Sequence, residues 1–91
     1  MDITVRIPLS LEKFTGNKTE FECQGETVEK LLANLNSQYP GIKENLYDEE
    51  GKFRPSFSLF VNGRIVRSFK TKKLLLKEGD EILIMQLVAG G

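Results

Sequence analysis

The last apolar segment of the chain, residues 81–87, constrains the fold more than any other feature. It reads Glu-Ile-Leu-Ile-Met-Gln-Leu, with apolar residues at both parities of a strand. Successive side chains of a strand point to opposite faces, and a segment that is apolar at both parities is typical of a strand inside the sheet, with a neighbouring strand on each side. We therefore predict a central strand here, lying parallel to the first strand through a helical crossover.

Alternation of apolar and polar residues predicts strands over residues 3–7 and 19–23, and we expect them to pair as an antiparallel hairpin. The connection between them carries a turn signal at Gly16-Asn17. Three apolar residues of this connection are expected to fold back on the core: Leu9, Leu11 and Phe14.

One amphipathic helix is predicted after Thr27, which is a good N-cap residue. Its apolar stripe has the spacing i, i+3, i+4 and i+7 and consists of Val28, Leu31, Leu32 and Leu35. Tyr39-Pro40-Gly41 then supplies a stop signal. A further helical turn is predicted over residues 42–47, with three side chains facing inward: Ile42, Leu46 and Tyr47.

Residues 48–52 form a polar segment that contains three consecutive acidic residues. An EF-hand loop would need ligands at fixed intervals over 12 residues, and this segment lacks that spacing. We therefore expect a solvated loop and no calcium site.

A second hairpin is predicted around Asn62-Gly63, the strongest short hairpin signal, with strands over residues 56–61 and 64–68. Gly79-Asp80 marks the turn before the final strand. The order β-β-α-β-β-β predicts an α+β roll, a mixed sheet of about five strands with one main helix packed on one face. We expect one domain over residues 1–91, with residues 87–91 as a flexible C-terminal tail.

The composition excludes several classes of function. Thirteen basic and thirteen acidic residues cancel, which disfavours nucleic-acid binding. The single cysteine, Cys23, excludes an internal disulfide. No apolar run is long enough to span a bilayer, and the N-terminus lacks the pattern of a signal peptide. We therefore expect a cytoplasmic protein that binds neither nucleic acid nor membrane.

The chain also lacks the side chains that most catalysts use. It contains no histidine, which removes the commonest general base, the usual zinc ligand and any imidazole triad. We predict that it is not an enzyme and has no catalytic or metal-binding residues. A buried, packed Cys23 is favoured over a sulfur relay, because no cation lies near it in sequence to lower its pKa.

The last two residues, Gly90 and Gly91, point to chemistry at the terminal carboxylate. Glycine has no Cβ, so this end is unhindered and able to enter a cleft too narrow for side chains. A frayed terminus without function is the alternative, because chain ends are commonly disordered.

Four segments together resemble the β-grasp sulfur carriers, ubiquitin-like proteins that include the small subunit of molybdopterin synthase (MoaD) and the thiazole-pathway carrier (ThiS). They occur in the family's order: residues 27–32, 60–63, 79–82 and 88–91. The length is more similar to the molybdopterin and cysteine-synthesis carriers than to the thiazole type. One departure is Gln86-Leu87, where the family often has proline, and it bears on the identity of the partner.

The resemblance implies a carrier cycle at Gly91, with Val88, Ala89 and Gly90 as the tail that delivers it. A MoeB/ThiF-like activating enzyme would adenylate the carboxylate, and it would supply the ATP and magnesium, so this chain binds no cofactor itself. A sulfur donor would then displace AMP and leave a thiocarboxylate. The partner that receives the sulfur would be a synthase large subunit or a cysteine-synthase-like enzyme.

The sheet face opposite the helix is the predicted docking surface. Strand parity and the two-residue turn place four apolar residues on this face: Phe60, Ile65, Met85 and Leu87. The alternative is that loops cover them or that they are scattered singly. Several cations would either steer an acidic partner or be plain solvated charges: Arg6, Arg64, Arg67 and Lys70.

Two other functions stay open on the sequence. The first is a protein modifier conjugated through Gly91, which would begin from the same adenylate. The second is a non-covalent interaction domain whose terminal glycines have no role. The pathway that receives the sulfur, the sulfur donor and the oligomeric state are not specified by the residues, although the molybdopterin and cysteine types fit best.

Overall fold

The computed structural model describes residues 2–67 and 74–87. In these ranges the strands are β1 (Asp2–Arg6), β2 (Glu20–Gln24), β3 (Phe57–Val61), β4 (Arg64–Val66) and β5 (Glu81–Gln86). The helices are α1 (Val28–Gln38) and α2 (Pro40–Leu46), and a 3-10 helix covers Leu9–Phe14. Neither α-helix in these ranges has the length and apolar character needed to cross a membrane.

The five strands form one mixed sheet in the order β2-β1-β5-β3-β4. β5 is central and runs parallel to β1, whereas the other pairs of neighbouring strands are antiparallel. The predicted position of the last strand, its parallel partner and the α+β roll are confirmed. Its inward residues Ile82 and Ile84 are buried beneath the helices, and this explains why one parity of the segment is apolar.

Helix α1 starts where the sequence predicted, because the Thr27 hydroxyl accepts the Lys30 N–H at 3.1 Å. Its stripe packs on the inner face of the sheet with α2, whose Pro40 occupies the first turn, where a missing N–H costs nothing. The core is formed by buried residues of the sheet, both helices and the connections: Ile3, Val5, Ile7, Leu11, Cys23, Val28, Leu31, Leu32, Leu35, Ile42, Leu46, Phe57, Leu59, Leu76, Ile82 and Ile84.

The prediction that Leu9 folds back on the core is wrong, since 74% of its surface is exposed. A 3-10 helix has three residues per turn, so Leu11 and Phe14 lie on one side of it. Leu11 is buried and Phe14 packs against the core, while Leu9 lies on another side of the helix. Most other predicted bounds differ from the observed ones by one or two residues. β4 ends at Val66, before the predicted end at residue 68, which itself lies outside the described ranges.

Gly25 is required where the chain passes from β2 into α1. A Cβ on this residue would lie 2.5 Å from both the backbone nitrogen and the Cα of Leu31. Backbone atoms of a helix cannot move aside as the end of a flexible side chain does. The close approach therefore fixes how tightly α1 packs on β2.

We expect Gly25→Ala to lower the free energy of unfolding by about 1–3 kcal/mol, the usual cost of overpacking. Chemical denaturation would measure the loss. Gly51→Ala is a comparison variant, because Gly51 has φ +81° and open space around its Cα, so its loss would come from backbone strain, whereas Gly25 is outside the positive-φ region and its loss would come from overlap. A Gly25→Ala protein as stable as the unaltered chain would contradict the close approach.

The side chain of Asp80 links the turn before β5 to the turn between β3 and β4. Its buried carboxylate accepts the Asn62 side-chain amide at 3.1 Å and the Lys77 backbone N–H at 2.9 Å. Asn62 in turn accepts the Glu81 N–H at 2.9 Å through its side-chain oxygen. The type I′ turn (Asn62 φ 50°, Gly63 φ 83°) is thus tied to the start of β5.

The hydrogen bonds lower the pKa of Asp80 below its ordinary 3.8, with the Lys77 N–H as the main cause and Asn62 next. A carboxylate with a depressed folded-state pKa stabilises the fold above its unfolded pKa, and this contribution is lost as the pH falls through the folded value. We expect Asp80→Asn to cost about 1–3 kcal/mol at pH 7, because an amide cannot accept both donors.

Denaturation of the Asp80→Asn variant and the unaltered chain, from neutral pH to below 3.8, would test this. The difference between them should shrink as acid protonates Asp80. Glu49→Gln, at an exposed loop position, controls for the loss of one charge. A difference that is independent of pH would contradict the assignment.

Candidate functional site: the outer sheet face and the end of the central strand

The outer face of the sheet, opposite the helices, carries apolar residues on three adjacent strands. Pairing places Phe60 of β3 opposite Ile65 of β4 on one side and opposite Leu83 of β5 on the other. Met85 lies two residues along β5 and pairs with Ser58. Strand alternation thus puts these side chains next to one another on one face.

Several of these side chains are accessible to a partner. Ile65 is 42% exposed, Met85 45% and Leu87 61%, while Phe60 and Leu83 are partly covered by their neighbours. We call the five residues the apolar patch: Phe60, Ile65, Leu83, Met85 and Leu87. Leu83 was not among the predicted docking residues, although its parity with Met85 was the signal that would have included it.

The end of β5 is held on both sides. The Leu87 N–H donates to the Ser56 carbonyl at 2.7 Å, and the Ser10 hydroxyl donates to the Gln86 side-chain oxygen. Leu87, a member of the apolar patch, is therefore fixed to the sheet. The predicted tail (Val88, Ala89, Gly90 and the Gly91 attachment site) lies outside the described residues, so its roles stay predictions.

Arg6 does not stand as a free cation on this face. Its Nε donates to Glu20 at 2.7 Å, and its Nη2 lies 3.7 Å from a carboxylate oxygen of Glu81. The hydrogen bond and charge of Glu20, followed by the charge of Glu81, raise the pKa of Arg6 above its ordinary value. Of the other predicted cations, Lys70 lies outside the described residues.

Cys23 and the acidic loop have structural roles. Cys23 is buried, its thiol lies 3.9 Å from the Leu31 carbonyl oxygen, and burial raises its pKa, so it stays protonated and unreactive.

In the acidic loop, Asp48 accepts the N–H groups of Lys52 and Glu50, both at 2.9 Å, and these hydrogen bonds lower the pKa of Asp48 and close the loop. Within residues 2–67 and 74–87, no group of three or more potential ligands is placed to hold a metal ion.

Comparison with known proteins identifies the family. The model of the ThiS family matches residues 5–91. The chain belongs to the ThiS family. It is 32% identical over 93 residues to the sulfur carrier protein CysO of Mycobacterium tuberculosis, with 100% of each chain covered. The predicted resemblance is therefore confirmed.

Two further relatives of this ThiS-family chain extend the comparison. A chain in the crystal structure of the Amycolatopsis orientalis BexX/CysO complex superposes with a TM-score of 0.83 and 35% identity, covering 98% of this chain and 99% of that one. Small archaeal modifier protein 3 of Haloferax volcanii is 27% identical over 93 residues, with both chains fully covered. The proteins similar to this chain therefore include some named as carriers and one named as a modifier.

Proposed function

We propose that this chain is a sulfur carrier protein whose Gly91 carboxylate becomes a thiocarboxylate. The observation that carries the proposal is its similarity to CysO sulfur carriers over the whole of both chains. The described residues add one supporting feature. Leu87 is an exposed member of the apolar patch, and its N–H is hydrogen-bonded to the Ser56 carbonyl oxygen at 2.7 Å.

The chemistry follows from the poor reactivity of a carboxylate. Attack of the Gly91 carboxylate on the α-phosphorus of ATP forms an acyl-adenylate and releases pyrophosphate. Hydrosulfide then adds to the acyl carbon, and AMP leaves with the electron pair of the broken C–O bond. Loss of the sulfur-bound proton leaves the thiocarboxylate, a nucleophile that a second enzyme can consume.

The partners are proteins in this scheme. An activating enzyme of the MoeB/ThiF type provides the ATP site and its magnesium, and a sulfur-accepting enzyme consumes the thiocarboxylate. The CysO name of the matched relatives favours the cysteine type of acceptor over the molybdopterin type, in which this chain would be a synthase subunit. Since the reaction consumes ATP, we place it in the cytoplasm.

Intact-mass measurement tests the proposal. The purified chain is incubated with an activating enzyme of this type, ATP, magnesium and sulfide, and with each component omitted in turn. We expect the mass gain of one oxygen replaced by one sulfur, only in the complete mixture and only on the peptide that contains Gly91. An unchanged mass with an enzyme that thiocarboxylates a known carrier would refute it.

A protein modifier is the second candidate, favoured by the similarity to small archaeal modifier protein 3. Both functions begin with the same adenylate, so the product distinguishes them. Incubation in a lysate followed by digestion would reveal Gly-Gly remnants on lysines if the chain is a modifier. A carrier would give the thiocarboxylate and no such remnants.

A further inference from the structure

The outer sheet face divides into an apolar half and an acidic half. The acidic half, which we call the acidic strip, consists of exposed carboxylates on β1, β2 and the first position of β5: Asp2, Glu20, Glu22 and Glu81. These side chains point outward because the alternate residues of the same strands, such as Ile3, Cys23 and Ile82, are buried. The strip therefore shares a face with the apolar patch.

The strand register shows that the two halves touch. One lateral row crosses all five strands on the outer face and contains Glu20, Arg6, Leu83, Phe60 and Ile65, in that order. The row begins in the acidic strip and ends in the apolar patch. Arg6 forms the boundary between them, so a partner that covers Leu83 also reaches the strip.

The acidic strip is only partly neutralised. Arg6 pairs with Glu20 and Glu81, but none of the salt bridges among the described residues involves Glu22. Four carboxylates against one guanidinium leave a formal charge of −3 on this half of the face. Glu22 of β2 and Glu81 of β5 both pair with Thr4 of β1, one from each side. Their strands are therefore roughly 10 Å apart, which is about one Debye length at physiological salt.

We propose that the activating enzyme places a cluster of lysine or arginine residues against the acidic strip while an apolar surface of that enzyme covers the apolar patch. This inference rests on the proposed function and names the chemistry of its partner. Charge complementarity of this kind accelerates encounter and fixes orientation. A docked enzyme turned by half a rotation would bury its cations on apolar side chains and leave the strip unpaired.

Association kinetics test the inference with Glu22→Lys. This reversal leaves the Arg6 pairs with Glu20 and Glu81 in place. The association rate constant with the enzyme that adenylates this chain is measured by stopped flow at about 0.05 M and about 0.5 M salt. We expect Glu22→Lys to lower it about tenfold at low salt and less than about twofold at high salt, because screening removes steering.

Glu44→Lys is the matched control, since Glu44 is exposed on α2, on the helix side of the sheet, and the reversal changes the net charge equally. Its association rate should stay within about twofold of the unaltered chain. Circular dichroism checks that each variant is folded. Should Glu22→Lys fail to fold, Glu22→Gln removes one charge and is expected to slow association about threefold at low salt.

Each outcome decides the matter. Equal slowing by Glu44→Lys would mean that the net charge of the chain, and not the acidic strip, sets the association rate. Normal adenylation with an association rate that depends neither on Glu22 nor on salt would mean that the enzyme does not contact the strip. Either result overturns this inference and leaves the proposed function standing. Concentration-dependent dimers of the unaltered chain that Met85→Asp abolishes would assign the face to a second copy and overturn it as well. If the unaltered chain receives no adenylate, the proposed function fails and the inference fails with it.

Discussion

Deletion of Gly90 and Gly91 is expected to abolish acyl-adenylate and thiocarboxylate formation while the free energy of unfolding changes by less than about 0.5 kcal/mol. The loss is complete because the new terminal carboxylate belongs to Ala89, two residues short of the reacting position. Positioning errors of this size remove the effective concentration on which a bimolecular reaction at an enzyme depends. ATP–pyrophosphate exchange and intact mass measure activation, and chemical denaturation measures stability.

A chain extended by one alanine after Gly91 is the control for this deletion. It keeps all 91 native residues and moves only the carboxylate, so we expect the same loss of activation. Retention of normal activation by either variant would exclude Gly91 as the reacting group. Absence of activation in the unaltered chain as well would leave the non-covalent interaction domain as the remaining function for this fold.

The sequence predicts the sheet well because its strongest signals are local and physically unambiguous. The Asn62-Gly63 pair has positive φ at both positions, as a type I′ turn requires, and it sets the register of β3 and β4. The Thr27 cap fixes the start of α1. Apolar residues at both parities of residues 81–87 indicate a central strand, and the structure buries the inner parity, Ile82 and Ile84, while the outer parity contributes to the apolar patch.

The features that were missed depend on tertiary geometry. Leu9 is exposed because the segment forms a 3-10 helix, which has three residues per turn. The spacing of Leu9, Leu11 and Phe14 matches neither the strand period nor the α-helix period, so it did not reveal which of the three would be buried. The hydrogen bond from Asn62 to Asp80 joins residues 18 positions apart, and Gly79-Asp80 by itself indicates only a turn. The acidic strip is invisible in a balanced composition, because its members come from three strands that meet only in the folded sheet.

Met85→Asp is expected to weaken binding to the activating enzyme by about 30- to 100-fold, or about 2–3 kcal/mol, without loss of folding. Met85 is 45% exposed and lies beside Leu83 and Leu87 on the outer face, so a partner that covers the apolar patch would have to desolvate the new carboxylate. Half-exposed strand positions tolerate a polar side chain in the free protein. Isothermal titration calorimetry with the activating enzyme measures the change, and thermal unfolding confirms that the variant is folded.

The sign of the new charge separates the apolar patch from the acidic strip. Met85→Lys should weaken binding by a similar factor, since both charges are costly to bury against an apolar surface. If position 85 instead faced the cationic cluster proposed for the enzyme, an added anion would be favoured over an added cation. Leu75→Asp is the matched control, because Leu75 is 80% exposed and pairs with Thr27 at the start of α1, away from the outer face. Unchanged affinity in both Met85 variants would remove the apolar patch from the interface, and equal weakening by Leu75→Asp would assign the effect to net charge.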